Sequence, residues 1–263
     1  MVMVFTSCTK IALMNLFTKK SLLFIFILYP FFSFTQSKFP YQVDLKKESI
    51  ILGVGIGLEV LELSLKQQVK PLSLIDIQSL NKNNIQFKFD RKTTDNWSPK
   101  ADRVSDILLY SALATPLLLS ISPATRQWKN ASTLATMGLE TILMTHSITQ
   151  LVKNSSKRIR PFVYNPAVPL SAKLDKDARK SFFSGHTSVS AAMCFFTAQV
   201  YADLYPQSRS KYLVWSAAAT LPVAVGFYRN KAGKHFPTDI AVGYLSGLLC
   251  GVLIPKLHLG MGN

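Results

Sequence analysis

Beyond residue 100 the chain reads as five apolar blocks, roughly residues 104–122, 131–152, 187–204, 212–227 and 240–254, separated by short polar turns except for the longer polar stretch 153–186. Blocks of that length form helices, and several approach the roughly 20 residues needed to cross about 30 Å of hydrocarbon, the shorter ones being borderline. Alternation at a period of two is weak, and no fixed-period repeat or low-complexity tract occurs. The architecture is therefore expected to be all-α. Small residues recur inside the blocks, and Gly243, Gly247 and Gly251 stand at a small-xxx-small spacing suited to close helix packing.

The upstream part is patterned differently. An apolar run over 50–58 is interrupted by Glu59 and Glu62, which would be costly at a bilayer centre, so it is expected as an interfacial or bundle-packed helix rather than a span. Residues 66–103 are polar and are expected as an extramembrane loop with a short helix near 73–80 and a turn at 81–84. At the N-terminus, Lys19 and Lys20 precede an apolar stretch of about a dozen residues and the small residues Ser33 and Thr35. This is the pattern of a secretory signal with cleavage near Thr35 and Gln36; an uncleaved anchor is the alternative. The expected division is 1–35 signal, 36–103 N-terminal segment and 104–259 core.

A count of crossings follows from that division. With the processed N-terminus outside and 50–65 not spanning, residues 153–186 and 229–239 share the outer face. The turns left inside carry Arg126, Lys129, Arg209 and Lys211, in keeping with the positive-inside tendency. A span at 50–65 would invert the arrangement.

Composition narrows the partners. Lys and Arg number 30 against 14 Asp and Glu, a net charge of +16, while hydrophobic residues make up 48% and charged residues 17%. A basic, apolar chain without a zinc-finger, RNP or helix-turn-helix pattern points to an anionic membrane or phosphorylated substrate, not to nucleic acid. Cys8, Cys194 and Cys250 form no CxxC and are too few for a disulfide framework; no histidine stands at metal-ligand spacing from them.

Three segments carry chemistry. Lys153, Lys157, Arg158 and Arg160 precede Pro161 and can surround a multiply charged anion. Ser184, Gly185 and His186 stand directly before an apolar helix, where a hydroxyl, free backbone N–H groups and an imidazole meet. Arg229, His235 and Asp239 place a carboxylate within reach of a histidine, an arrangement that makes the imidazole a nucleophile or base. Each segment alone also fits a basic boundary loop or a helix cap.

Together they resemble the type 2 phosphatidic acid phosphatase (PAP2) and vanadium haloperoxidase superfamily, whose pattern is K-x6-R-P, P-S-G-H and S-R-x5-H-x3-D. Lys153 to Pro161 matches in full, Phe183 replaces the first proline and Tyr228 replaces the serine. The two departures are expected to alter pocket shape more than mechanism. The resemblance, over about 104–255, implies a helical bundle of about five transmembrane helices plus the N-terminal interfacial helix. It also implies that His235 attacks phosphorus to form a phosphohistidine, Asp239 orients it, and His186 serves the leaving oxygen and then water. Lys153, Arg160, Ser184, Gly185 and Arg229 would hold the phosphoryl oxygens, with no metal and no cofactor.

The activity so implied is hydrolysis of a lipid phosphate or diphosphate (polyprenyl, lipid A or glycerolipid) at the periplasmic face of a bacterial inner membrane. A soluble periplasmic acid phosphatase, a vanadate-dependent haloperoxidase and a non-catalytic membrane component are the alternatives. Of the remaining polar residues, Asp102 is expected to cap a helix and Asp106 to have a partner. His146 is expected in the packed core, Glu59 and Glu62 as interfacial decoration, and His258 in a surface tail.

Overall fold

A computed structural model describes residues 38–260, so the signal-like stretch and its cleavage point lie outside the described residues. Among the described residues there are nine α-helices: α1 Leu45–Gln67, α2 Leu74–Gln78, α3 Lys88–Arg91, α4 Pro99–Leu113, α5 Trp128–Ser156, α6 Leu170–Lys173, α7 Gly185–Leu204, α8 Ser210–Lys231 and α9 Pro237–Leu257. A 3-10 segment, Thr115–Ile121, extends α4. The all-α expectation holds, and the short helix and turn expected at 73–84 appear as α2 and the 3-10 turn Lys82–Asn84.

Helix α7 is the axis. Its sequence is apolar or small all round, and such a helix is stable only when enclosed; α4, α5, α8 and α9 pack around it. Ala191, Ala192, Phe195, Phe196, Ala198 and Val200 are all buried at 2% exposure or less. Helix α9 runs beside α7 in the same direction. Gly243, Gly247 and Gly251 face the carbonyl oxygens of Ser184, Ser188 and Ala192, and a Cβ at these positions would lie only 2.6, 2.0 and 2.3 Å from them. The small-xxx-small stripe is thus the seam on which two site-bearing helices meet. Helix α5 is polar for an internal helix, yet Thr141, Thr145 and Thr149 each donate to the carbonyl four residues earlier, so their hydroxyls are satisfied without leaving the helix.

Helix α1 lies along α5 over its whole length. Glu48 lies near Glu140, Glu59 bonds Ser147 (2.7 Å), and Asn154 donates to Glu62 (2.6 Å), so the two helices run parallel and in step. The bundle-packed alternative of the sequence expectation holds. The glutamates that argued against a full-length helix are bonded to α5, which removes the cost of exposing them to an apolar surround.

This placement sets which ends of the bundle lie together. With α1 a full-length member, the start of α1 and the end of α9 lie at one end of the bundle, and residues 40–42 pair with 258–260 there. The ends of α1, α5 and α8 and the starts of α4, α7 and α9 lie at the other. Loops 68–98, 157–184 and 232–236 therefore share that second end, as expected for the latter two, but residue 38 is on the opposite side from them.

Two stretches, Pro99–Ile121 and Pro237–Leu257, are long and apolar enough to cross a membrane by length and composition. Beyond them, large apolar side chains lie open to the outside on α1 (Ile50, Val54, Ile56, Val60), α8 (Leu213, Val223) and α9 (Leu245, Leu249, Leu253). Exposed apolar side chains on this many helices mark a surface that meets lipid or protein.

Candidate active site

The site is built where α8 turns into α9. Arg229 closes α8, and Gly233 adopts φ +72°, a left-handed conformation that glycine takes without strain. A Cβ there would lie 2.2 Å from the Asn96 carbonyl oxygen, so the loop before α4 is clamped onto this turn. Asn96 and Thr93 both bond Asn230. Pro237 then opens α9, and Asp239 accepts from the Phe236 backbone N–H (2.9 Å), which fixes the approach of His235.

His235 is fully buried. Its Nδ1 lies 2.7 Å from the Ser181 carbonyl oxygen, an acceptor only, so Nδ1 carries the proton and Nε2 keeps its lone pair. Nε2 stands 3.5 Å from Arg160 Nη1. Asp239, expected to bond the ring directly, is 3.7 Å from Nδ1. Its Oδ2 instead accepts from Ser181 Oγ at 2.5 Å, and its Oδ1 accepts from Arg158. Asp239 therefore acts on His235 through the Ser181 segment and through its charge. Burial, with Lys153, Arg160 and Arg229 nearby, holds the His235 imidazole well below its usual pKa and hence neutral.

A cavity of about 400 Å³ brings together Lys153, Arg160, Gly185, His186, Arg229 and His235 from three separate stretches of the chain, with Leu109, His146, Gln150, Asp177 and Val189 along its wall. Lys153 donates to the Lys180 carbonyl (2.9 Å). Arg160 is held by the Asp177 carbonyl (2.8 Å) and carboxylate (2.9 Å). Arg229 is paired with Asp102, and its buried Nε has no partner. His186 lies across the cavity with Nε2 2.8 Å from Asp106. Burial first, and Arg229 second, push the His186 imidazole down to about 4, against the pull of Asp106. Three buried cations on one cavity wall create a strongly positive pocket shaped for a multiply charged anion.

Seven of the eight residues expected at the site converge on the cavity or stand directly behind it. Ser184 differs: its hydroxyl is buried, bonds Thr187 Oγ1 (2.9 Å) and caps α7, while Gly185 lines the cavity. Phe183 and Tyr228 are not among the residues that line this cavity. Asp102 does not cap α4; Ser98 does, and Asp102 serves Arg229 and Lys234 (3.3 Å). His146 is exposed rather than packed, bonded to Glu59 at 3.1 Å. Asp106 has the partner expected of it. Asp90, Arg158, Asp177 and Ser181 have structural parts in the site that spacing alone does not disclose. Arg158 bridges Asp239 and Asp90 (2.9 Å) and lies 4.3 Å over the Phe236 ring, so it braces the site and is not free for a headgroup.

Residues 132–260 match the family model described as the PAP2 superfamily. This region belongs to the PAP2 superfamily. The PAP2 region also resembles a probable diacylglycerol pyrophosphate phosphatase 1 of Schizosaccharomyces pombe, 34% identical over 97 residues that make up 35% of each chain. A lipid A 4'-phosphatase of Porphyromonas gingivalis is 27% identical over 84 residues, 32% of each chain. The match therefore spans about a third of these curated relatives. Among solved structures, a transmembrane PAP2 type phosphatidylglycerolphosphate phosphatase from Bacillus subtilis aligns over 77% of this chain and 94% of that one, with a TM-score of 0.48 and 21% identity.

Asp177 offers a test of how the PAP2 region holds its cations. Asp177→Asn keeps a carbonyl for the Arg160 Nη2 hydrogen bond but removes the charge that fixes the guanidinium. If Arg160 clamps the substrate anion, the expected result is a rise in KM of about tenfold with kcat changed less, since His186 and His235 keep their own partners. A kcat loss with KM unchanged, read from steady-state phosphate release, overturns this assignment.

Proposed function

We propose that the chain is a lipid-phosphate phosphatase that works through a phosphohistidine. The observation that carries this is the tautomer of His235: Nδ1–H is engaged by the Ser181 carbonyl, which leaves the Nε2 lone pair facing the space walled by Lys153, Arg160 and Arg229. Nε2 attacks phosphorus as the P–O ester bond breaks, and the three cations with the Gly185 N–H hold the equatorial oxygens. His186 delivers a proton to the leaving alkoxide or phosphate oxygen. It then takes a proton from water as water attacks the phosphohistidine, which releases inorganic phosphate and restores both imidazoles. Each step uses side chains present at the cavity.

A phosphoryl dianion docking beside Arg229 offsets the charge that depresses His186 and raises its proton affinity for the first step. Asp106 contributes in the same direction. Asp106→Asn should therefore lower the pKa of His186 in the complex, so the loss of kcat on the alkaline side moves to lower pH, by about one unit. An alkaline limb that stays in place would exclude His186 as the acid.

The exposed apolar side chains support a bilayer around the bundle, with Leu109 and Val189 giving an acyl chain an apolar path to the cavity. The site-distal end carries Arg126, Lys129, Arg209 and Lys211, joined by Lys38, Lys46, Lys47 and Lys256. The Lys and Arg of the site end are more numerous, and their place outside rests on the anionic substrate that the cavity gathers; with that, the basic turns favour a cytoplasmic site-distal end and a periplasmic site. Single cysteines introduced at Gln42 and Lys180 test the arrangement: Lys180→Cys should label from outside intact cells and Gln42→Cys should not. Recovery of the protein in the aqueous phase after carbonate washing would instead favour the soluble phosphatase. The substrate reading is tested by phosphate release from phosphatidate, diacylglycerol diphosphate, polyprenyl diphosphate and lipid A, assayed in chelator. No release from any of them overturns it.

A further inference from the structure

The end of the bundle remote from the phosphate cavity holds a second cluster of chemistry. Glu48 in the first turn of α1, Glu140 in the middle of α5 and His258 just past α9 turn their side chains toward one point. Their relative exposures are 7%, 1% and 1%. His258 Nε2 lies 3.0 Å from Glu48 Oε1 and 3.1 Å from Glu140 Oε2. Its Nδ1 donates to the Ile254 carbonyl at 2.8 Å, which gives Nδ1 the proton and leaves Nε2 as the donor atom facing both carboxylates. An imidazole anchored by one nitrogen on a carbonyl, with the other aimed at anionic oxygens, is the second-shell arrangement that orients metal-bound histidines.

The oxygens behind these contacts point the same way. Glu48 Oε2 and both carboxylate oxygens of Glu140 are buried with no hydrogen-bond donor on them. Among the described residues, neither glutamate is paired with a lysine or arginine; His258 is the partner of both. Two carboxylates withdrawn from water with one imidazole between them remain short of positive charge. A divalent cation supplies the missing two charges and the missing ligand at once. Distances of 3.0 and 3.1 Å from Nε2 to the two oxygens subtend roughly a right angle at an ion about 2.1 Å from each donor.

We propose that Glu48, Glu140 and His258 form a structural site for a divalent first-row transition ion of the zinc or manganese class. One nitrogen and two carboxylate oxygens, without thiolate, suit those ions better than copper(I) or an iron–sulfur cluster. The free second oxygens of Glu48 and Glu140 allow either carboxylate to become bidentate. Bound there, the ion ties the first turn of α1 to α5 and to the end of α9. It plays no part in phosphoryl transfer, because the length of α9, about 30 Å, separates it from Asp239.

The test uses the full-length protein in detergent, stripped with EDTA, equilibrated with zinc or with manganese alone and freed of excess by gel filtration. The expected result is one ion retained per chain by elemental mass spectrometry and a melting temperature raised by several degrees over the stripped protein. His258→Gln and Glu140→Gln should each reduce retained metal by more than about tenfold and abolish the thermal shift. Wild-type protein that retains neither ion and melts at one temperature in its presence and absence overturns the proposal and leaves a cluster bridged by protons. A His258→Gln protein that still holds one ion per chain also overturns it, by placing the metal on other histidines. Should both variants fail to fold, the wild-type stoichiometry and melting shift decide alone.

Discussion

Exchange of His235 for asparagine lowers metal-independent turnover of the preferred lipid phosphate by more than about 10³-fold, the scale expected when a covalent nucleophile is removed. The substitution is chosen for what it keeps. Asparagine places an amide N–H where Nδ1–H stood, so the Ser181 carbonyl, 2.7 Å from the ring in the native site, retains a donor. Lys153, Arg160 and Arg229 keep their own partners, so phosphate should still bind, and the melting temperature should stay within a few degrees of the parent. Rapid-quench experiments with radiolabelled substrate should trap an acid-labile, base-stable phosphoprotein in the native enzyme and none in His235→Asn. A variant with turnover within tenfold of the parent would show that another group attacks phosphorus.

The second large effect is on assembly. Gly247→Ala puts a methyl carbon 2.0 Å from the Ser188 carbonyl oxygen and 2.8 Å from Ala191 Cβ, both on the rigid central helix α7. Neither atom belongs to a flexible side chain that could swing away, so α9 has to move off α7. Overpacking of this kind costs about 3 kcal/mol or more. Because α7 and α9 carry His186 and Asp239 at their starts, the same displacement should loosen the cavity and reduce kcat in whatever protein folds. Gly57→Ala supplies the contrast: a Cβ at Gly57 meets nothing within 4 Å, and alanine is the better helix former by about 1 kcal/mol. Thermal melting in one detergent should place Gly247→Ala well below the parent and Gly57→Ala level with it or above. Equal melting of the two glycine variants would show that the α7–α9 seam is looser than the glycines indicate.

Much of this was legible in the sequence, for a definite reason. Lys153, Arg160, His186, Arg229, His235 and Asp239 sit at helix ends, where apolar blocks stop and spacing becomes rigid, so their convergence follows from counting helices. Asp90 and Asp177 come from single-turn helices and Ser181 from the stretch beside them, all too short to show a period, and nothing local marks them as braces for Arg158, Arg160 and His235. Glu59 and Glu62 misled in a different way. Taken alone they are carboxylates in an apolar run, and the hydroxyl and amide that satisfy them stand 88 and 92 residues further on, at Ser147 and Asn154. His258 was misjudged by its nearness to the C-terminus; the fold carries it back against α1 and α5, where it is buried with Glu48 and Glu140.

The pairing of residues 40–42 with 258–260 makes the bundle a ring in connectivity. Gln42 donates to the His258 carbonyl and Gly260 donates to the Pro40 carbonyl, each at 2.9 Å. A few added residues could join these two strands covalently, and the chain could be reopened at the turn between Leu204 and Ser210, at the same end of the bundle. Such a permuted protein would begin on α8 and finish on α7, yet every helix would keep its neighbours. The order in which the polypeptide visits its helices is thereby separable from the shape that places three cations around one imidazole.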